Sequence, residues 1–254
     1  MRARPAVVGL AIVLSAGRAI AAGQAADAQA DAEKPAEGPI ELPYKATAGL
    51  YRYSGAQYAV DLNLRYTSAS LGNFWVGYYD SRDLDEREGR VGWDRVWIFD
   101  PVRFLLTAQA ASTGFFGAAF AAEIGAPFFI GGGLGRTNLK PYVNLNFDPN
   151  DAYLVSTGWR GADGRAAMIQ YIRDNRENPD QRNTHFIYRT PLPSGERLTL
   201  DVLFKQGLVE GQMIRKWGAT VGFDWPRWFA RVAWDPDQNF TPLNMWRFSV
   251  GARF

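Results

Sequence analysis

The single histidine of the 254-residue chain, His185, is the first place to look for acid–base or nucleophilic chemistry. A serine relay needs a hydroxyl and a carboxylate within hydrogen-bond reach of the ring. Ile187 occupies the position where a His-x-Ser pairing would put the hydroxyl. Ser156 or Asp201 would therefore have to reach His185 from another part of the chain. A polar residue near the wet end of a strand accounts for His185 more simply, so the chain is read as a non-enzyme. There is no cysteine, which excludes thiol nucleophiles, thiolate metal sites and disulfides. No zinc-like ligand spacing is present, and no metal or cofactor is expected. The run Gly131-Gly132-Gly133-Leu134-Gly135-Arg136 lacks the Lys-Ser/Thr of a phosphate loop. Glycines in such a run more often permit bends or close packing in a strand. Asp83, Asp85, Glu86, Arg87 and Glu88 form a charged stretch in an expected loop. It reads as solvated surface; its oxygen ligands would also suit a divalent cation.

What remains is a set of cations and acids spaced two apart among apolar residues. From Trp246 the chain runs Trp-Arg-Phe-Ser-Val-Gly-Ala-Arg-Phe. Trp246, Phe248, Val250, Ala252 and Phe254 thus share one face, and Arg247, Ser249, Gly251 and Arg253 share the other. The same alternation recurs over 60–66, 198–205 and 228–235, and Val143, Leu145 and Phe147 flank Asn144 and Asn146. In these registers Arg65, Arg103, Arg160, Arg189, Lys205, Lys216, Arg231, Arg247 and Arg253 fall on the polar face. Asp61, Glu123, Asp201, Asp224 and Asp235 join them. Nine cations against five acids make that face positive, which favours anions and suits carboxylate or phosphate. The same charges could instead pair with one another and fill the interior.

The elements that carry these residues are strands. Fourteen are read, near 44–54, 57–68, 73–80, 90–98, 102–111, 115–124, 128–147, 152–160, 165–173, 184–190, 197–205, 212–223, 227–235 and 245–254. Twelve is the main alternative, and 128–147, which contains Gly135 and Pro141, is overlong. The longest polar connections, 81–89, 174–183 and 236–244, all fall at one end when fourteen strands are counted back from Phe254. The apolar faces carry almost no mid-strand charge; Arg173 and Arg215 lie on them only at strand ends. Aromatic residues make up 14% of the chain, and Trp159, Trp225, Trp228, Trp234 and Trp246 sit near strand ends.

Residues 1–22 have the pattern of an export signal: Arg2 and Arg4, an apolar run over 6–16, then small residues around Ala21 and Ala22. The Ala-, Gln-, Glu- and Pro-rich segment 23–43 reads as a flexible periplasmic leader. A net charge of +2 makes no case for nucleic acid. No later stretch has the ~20 apolar residues of a transmembrane helix. A membrane location would then require a closed barrel, the other structure that satisfies its backbone in lipid.

With the export signal, the alternation and the terminal Phe254, the chain resembles the outer-membrane β-barrel proteins of Gram-negative bacteria, small porin-like members included. The resemblance covers 44–254 and implies an antiparallel up-and-down barrel in the cell outer membrane. It implies contact with outer-membrane lipid and lipopolysaccharide. It further implies that the β-barrel assembly machinery reads the last strand, here Trp246, Phe248, Val250 and Phe254. The positive interior makes a passive channel for small anionic or sugar-like solutes the leading expectation. A side-chain-filled barrel accessory to envelope or polysaccharide export is the alternative, with a lipid hydrolase or acyltransferase behind it.

Overall fold

A computed structural model describes residues 42–145 and 148–254. The expected export signal and nearly all of the leader lie outside the described residues. Alternating apolar and polar side chains turn the chain into fourteen antiparallel strands. They are β1 (Tyr44–Tyr53), β2 (Tyr58–Ser68), β3 (Gly72–Ser81), β4 (Glu86–Phe99), β5 (Val102–Ala111), β6 (Phe116–Ile124) and β7 (Phe128–Thr137). The second half holds β8 (Ala152–Arg160), β9 (Ala166–Asp174), β10 (Arg182–Pro191), β11 (Arg197–Val209), β12 (Gln212–Asp224), β13 (Trp228–Asp235) and β14 (Met245–Arg253). Each pairs with its sequence neighbours, and β14 returns to β1 to close the barrel. The expected count of fourteen is the observed one.

Closure uses both chain ends of the wall. Lys45 lies opposite Arg253 and Tyr53 opposite Met245. The terminal residue completes the ladder: Tyr44 N donates to Phe254 O at 2.9 Å, and Phe254 N donates to Tyr44 O at 3.0 Å. No sheet edge is left between these strands, as lipid demands.

The outer face is apolar and bare. Leu62, Val76, Ile130, Val202, Phe248 and Val250 point outward with large exposed surfaces. Such a surface is stable only against hydrocarbon, and among the described residues no helix is long and apolar enough to cross a membrane. The inner face holds most of the charge and is largely buried. Glycine makes room there at a few points: a Cβ on Gly92 would stand 2.2 Å from the Trp75 ring, so only glycine fits beneath that indole.

Two expectations need correction. The segment 128–147 is not one strand: β7 ends at Thr137, and the chain turns inward over 138–145 and 148–151, with Leu139 in the left-handed region at φ 61°. Tyr142, Asn144 and Leu145 are all buried, so the alternation around Val143 and Leu145 does not mark a two-faced strand of the wall. Asn146 and Phe147 lie outside the described residues. The charged stretch 81–89 is also mostly strand, since β3 extends through Ser81 and β4 begins at Glu86. The turn itself is only 82–85, and Glu88 points inward and is buried.

Candidate functional site

The odd connections, 54–57, 82–85, 112–115, 138–151, 175–181, 210–211 and 236–244, gather at one rim. The even ones and the chain ends gather at the other, which is the periplasmic side. Two of the odd connections enter the lumen and meet there.

The 138–151 segment is stapled at its base. Thr137 Oγ1 donates to Asp151 Oδ2 at 2.6 Å, and Arg176 pairs with the same carboxylate at 3.2 Å. The β7 glycines Gly133 and Gly135 border a small pocket with Asn150. Further in, the Tyr142 ring packs on Phe115 with centroids 4.5 Å apart, and Val143 N donates to Glu88 Oε1 at 3.2 Å. Burial pushes the Tyr142 hydroxyl up to about 12. Arg247 Nη1 donates to Leu145 O at 2.9 Å. Gln238 and Asn239, from 236–244, both donate to Asn144 O, at 3.1 and 2.7 Å. Leu145 completes a buried cluster with Tyr51, Tyr53, Tyr79, Leu203, Ala233 and Met245. This packing fills the extracellular half of the lumen.

His185 lies at the tip of the inserted segment. Its Nε2 is 2.9 Å from Asp148 Oδ1 and its Nδ1 is 2.9 Å from Asp201 Oδ1. Asp201, one of the two partners considered for the ring, does meet it; Ser156 sits on the same inward row but two strands away. Both ring nitrogens are engaged by carboxylates, so neither is available to take a proton from a serine. Asn183 Nδ2 also donates to Asp148, at 2.9 Å. Burial alone would raise the Asp148 pKa, but His185 and Asn183 hold it below the ordinary carboxylate value.

The charges read from the sequence are spread over the whole length of the interior. Lys205 and Asp235 form a fully buried pair at 2.5 Å. Arg160 pairs with Glu123 at 2.7 Å and stacks on Phe129 at 3.7 Å. Arg253 pairs with Asp224 at 2.6 Å, Arg65 with Asp94 at 3.5 Å, and Lys216 with Asp237 at 3.9 Å. Arg90, missed in the sequence, pairs with Asp61. Glu88 and Asp94 were missed too, although their period-two spacing with Arg90 on one face of β4 was a legible signal. Asp148 carried none, because it lies in an irregular segment. In the extracellular half the acids Asp61, Glu88, Asp148, Asp151, Asp174, Asp201 and Asp235 outnumber the cations Arg90, Lys205, Lys216 and Arg247.

The periplasmic half is different. By register, Lys45, Arg65, Arg103, Arg160, Arg189, Arg197, Arg231 and Arg253 face it, against Asp94, Glu123 and Asp224. A cavity of about 700 Å³ opens there, bordered by Lys45, Arg65, Arg197 and Arg253 as well as Asp224 and Glu196. The Phe229 ring has Lys45 at 4.8 Å, Arg231 at 5.3 Å and Arg253 at 5.4 Å from its centroid. Phe229 was read correctly as inward, but its place among three cations is a tertiary fact. The four terminal-strand residues Trp246, Phe248, Val250 and Phe254 all stand exposed on the outer face.

A closed fourteen-strand barrel with an apolar outer wall and a charged interior is an outer-membrane β-barrel of porin-like architecture. The structure of the outer membrane protein Omp33 of Acinetobacter baumannii is similar with a TM-score of 0.55 at 10% identity, over 85% of this chain and 100% of that one. The NanC porin is similar at 0.46 and 9% identity, over 82% of this chain and 100% of its own. OmpF of Salmonella typhi is similar at 0.44 and 9% identity, over 83% and 96%. No protein-family model and no curated protein sequence matches the chain.

Proposed function

We propose that the barrel is a channel for small anionic solutes, held shut in this conformation by the inserted 138–151 segment. The observation that carries the reading is the excess of lysine and arginine around the open periplasmic cavity. Cations in a low-dielectric vestibule concentrate anions, and guanidinium forks suit carboxylate and phosphate. The packed, acid-rich extracellular half supplies the barrier. The channel would conduct only when 138–151 leaves the lumen.

Planar-bilayer recording tests this. Wild type is expected to show low conductance, and replacing 139–150 with a short glycine-containing turn should raise it and give an anion-biased reversal potential. Neutralising Arg65, Arg197 and Arg253 in that background should shift the reversal potential toward cations. A shortened barrel that folds but does not conduct would sink the proposal. It would favour instead a filled accessory barrel, the reading supported by the buried Tyr51–Tyr79–Met245 cluster.

A further inference from the structure

On one side of the outer wall the strands end in arginine. Arg173 of β9 lies opposite Arg182 of β10, Arg182 opposite Gln206 of β11, and Gln206 opposite Arg215 of β12. Arg136 near the end of β7 reaches the same patch, donating from Nη1 to Asn175 Oδ1 at 2.6 Å. These side chains point away from the lumen; Ile172 and Asn183, their inward-facing strand neighbours, are fully buried.

One step toward the membrane along each strand, a second row runs Tyr171, Thr184, Phe204 and Trp217 in the same register. The Phe204 and Trp217 rings are 4.9 Å apart. The next step is wholly apolar: Ile169, Phe186, Val202 and Ala219. Two residues of strand advance about 7 Å. The wall therefore passes from aliphatic to aromatic to guanidinium over the distance in which a bilayer passes from hydrocarbon to headgroup.

The outward-facing wall arginines Arg173, Arg182 and Arg215 lack carboxylate partners among the described residues, whereas Arg176 in the loop above is held by Asp151. Among the described residues neither Arg182 nor Arg215 has an acid within ion-pair distance. Arg173 is steadied by a bond from Nε to Pro179 O at 3.0 Å, which leaves the outer fork of its guanidinium unspent. Glu177 and Asp180 are exposed in the connection above. On the other side of the rim the outward-facing Arg87 is instead paired with Asp80 at 3.4 Å.

We propose that the outer wall of β7–β12, at the extracellular rim, binds the phosphate groups of an outer-leaflet glycolipid of the lipopolysaccharide class. Arg173, Arg182 and Arg215 supply charge-assisted forks, Arg136 a further contact, and the Phe204–Trp217 pair packs on the lipid below. The assignment rests on the outer-membrane location of the barrel and is independent of whether its lumen conducts.

The test is glycolipid retention by full-length barrel purified from outer membranes in mild detergent, measured as bound phosphorylated glycolipid per protein. The triple variant Arg173→Gln, Arg182→Gln, Arg215→Gln should retain about tenfold less than wild type, as expected for losing several charge-assisted bonds. The Arg52→Gln, Arg87→Gln control on the far wall should retain as much as wild type. Heat-dependent gel mobility reports whether each variant is folded. A second arm uses wild type alone, in vesicles holding either the phosphorylated glycolipid or its phosphatase-treated form. Only the phosphorylated form should be retained, and inorganic phosphate at equal concentration should not displace it. Equal retention by the folded triple variant and wild type would overturn the proposal. So would equal retention of dephosphorylated lipid, or displacement by inorganic phosphate. Channel conductance should be unchanged in the triple variant, which separates this site from the lumen.

Discussion

At the scale of single residues, the interior depends on charges that have left water only because a partner is in place. Lys205 and Asp235 show the principle. Both are fully buried, and the ammonium also donates to Pro236 O and Asp237 O, each at 3.1 Å. Removing one member strands the other, at a cost of about 3–5 kcal/mol. Lys205→Ala is therefore expected to lower the urea unfolding midpoint of the vesicle-folded barrel sharply. The double change Lys205→Met, Asp235→Leu should recover most of the loss, because no lone charge remains. If the single and double variants unfold at the same midpoint, the pair does not act as a unit. Both residues had been placed inward from the alternation of β11 and β13. Their contact had not, because it bridges β12 between two strands that do not pair with each other.

At the scale of elements, the inserted 138–151 segment decides what the lumen can do, and its docking depends on pH. Asp148 is held below its ordinary pKa in the docked state. Docking is thus favoured by its charge above about pH 4 and loses that contribution as pH falls through the lowered folded value. Strong acid should therefore release the segment and raise conductance. Asp148→Asn should conduct more than wild type near neutrality and show a flatter acid response. Superimposable pH profiles for the two proteins would refute the role of Asp148 as a latch. This segment was the least legible part of the chain. The alternation there reads as strand, but both sides of the stretch are packed inside the barrel, Asn144 against Gln238 and Asn239 and Leu145 in the apolar cluster. Gly135 and Pro141 were the available hints that the segment is not one strand. By contrast β5 and β8 were bounded correctly, since turn residues flank a clean alternation at both ends.

At the scale of the whole molecule, closure of β1 on β14 makes the barrel a single cooperative object. Phe254 contributes both backbone bonds to Tyr44 and an aromatic contact with its ring, centroids 5.7 Å apart. Deleting Phe254 is expected to lower the amount of heat-modifiable barrel in outer-membrane fractions, and Phe254→Tyr should retain most of it. Phe254→Ser should fall with the deletion if the ring, as part of the assembly signal formed with Trp246, Phe248 and Val250, is what matters. Unchanged levels in all three variants would remove the terminal residue from assembly.

From the sequence alone came the strand faces, the fourteen-strand count, the side on which long loops gather and the cellular membrane. Each follows from local alternation and from the rule that lipid tolerates no unpaired backbone. The tertiary structure alone decided which charges meet, that the extracellular half is filled while the periplasmic half stays open and cationic, and that 138–151 folds inward. Those outcomes depend on distances across the barrel and on the path of an irregular segment, and neither leaves a periodic trace in the chain.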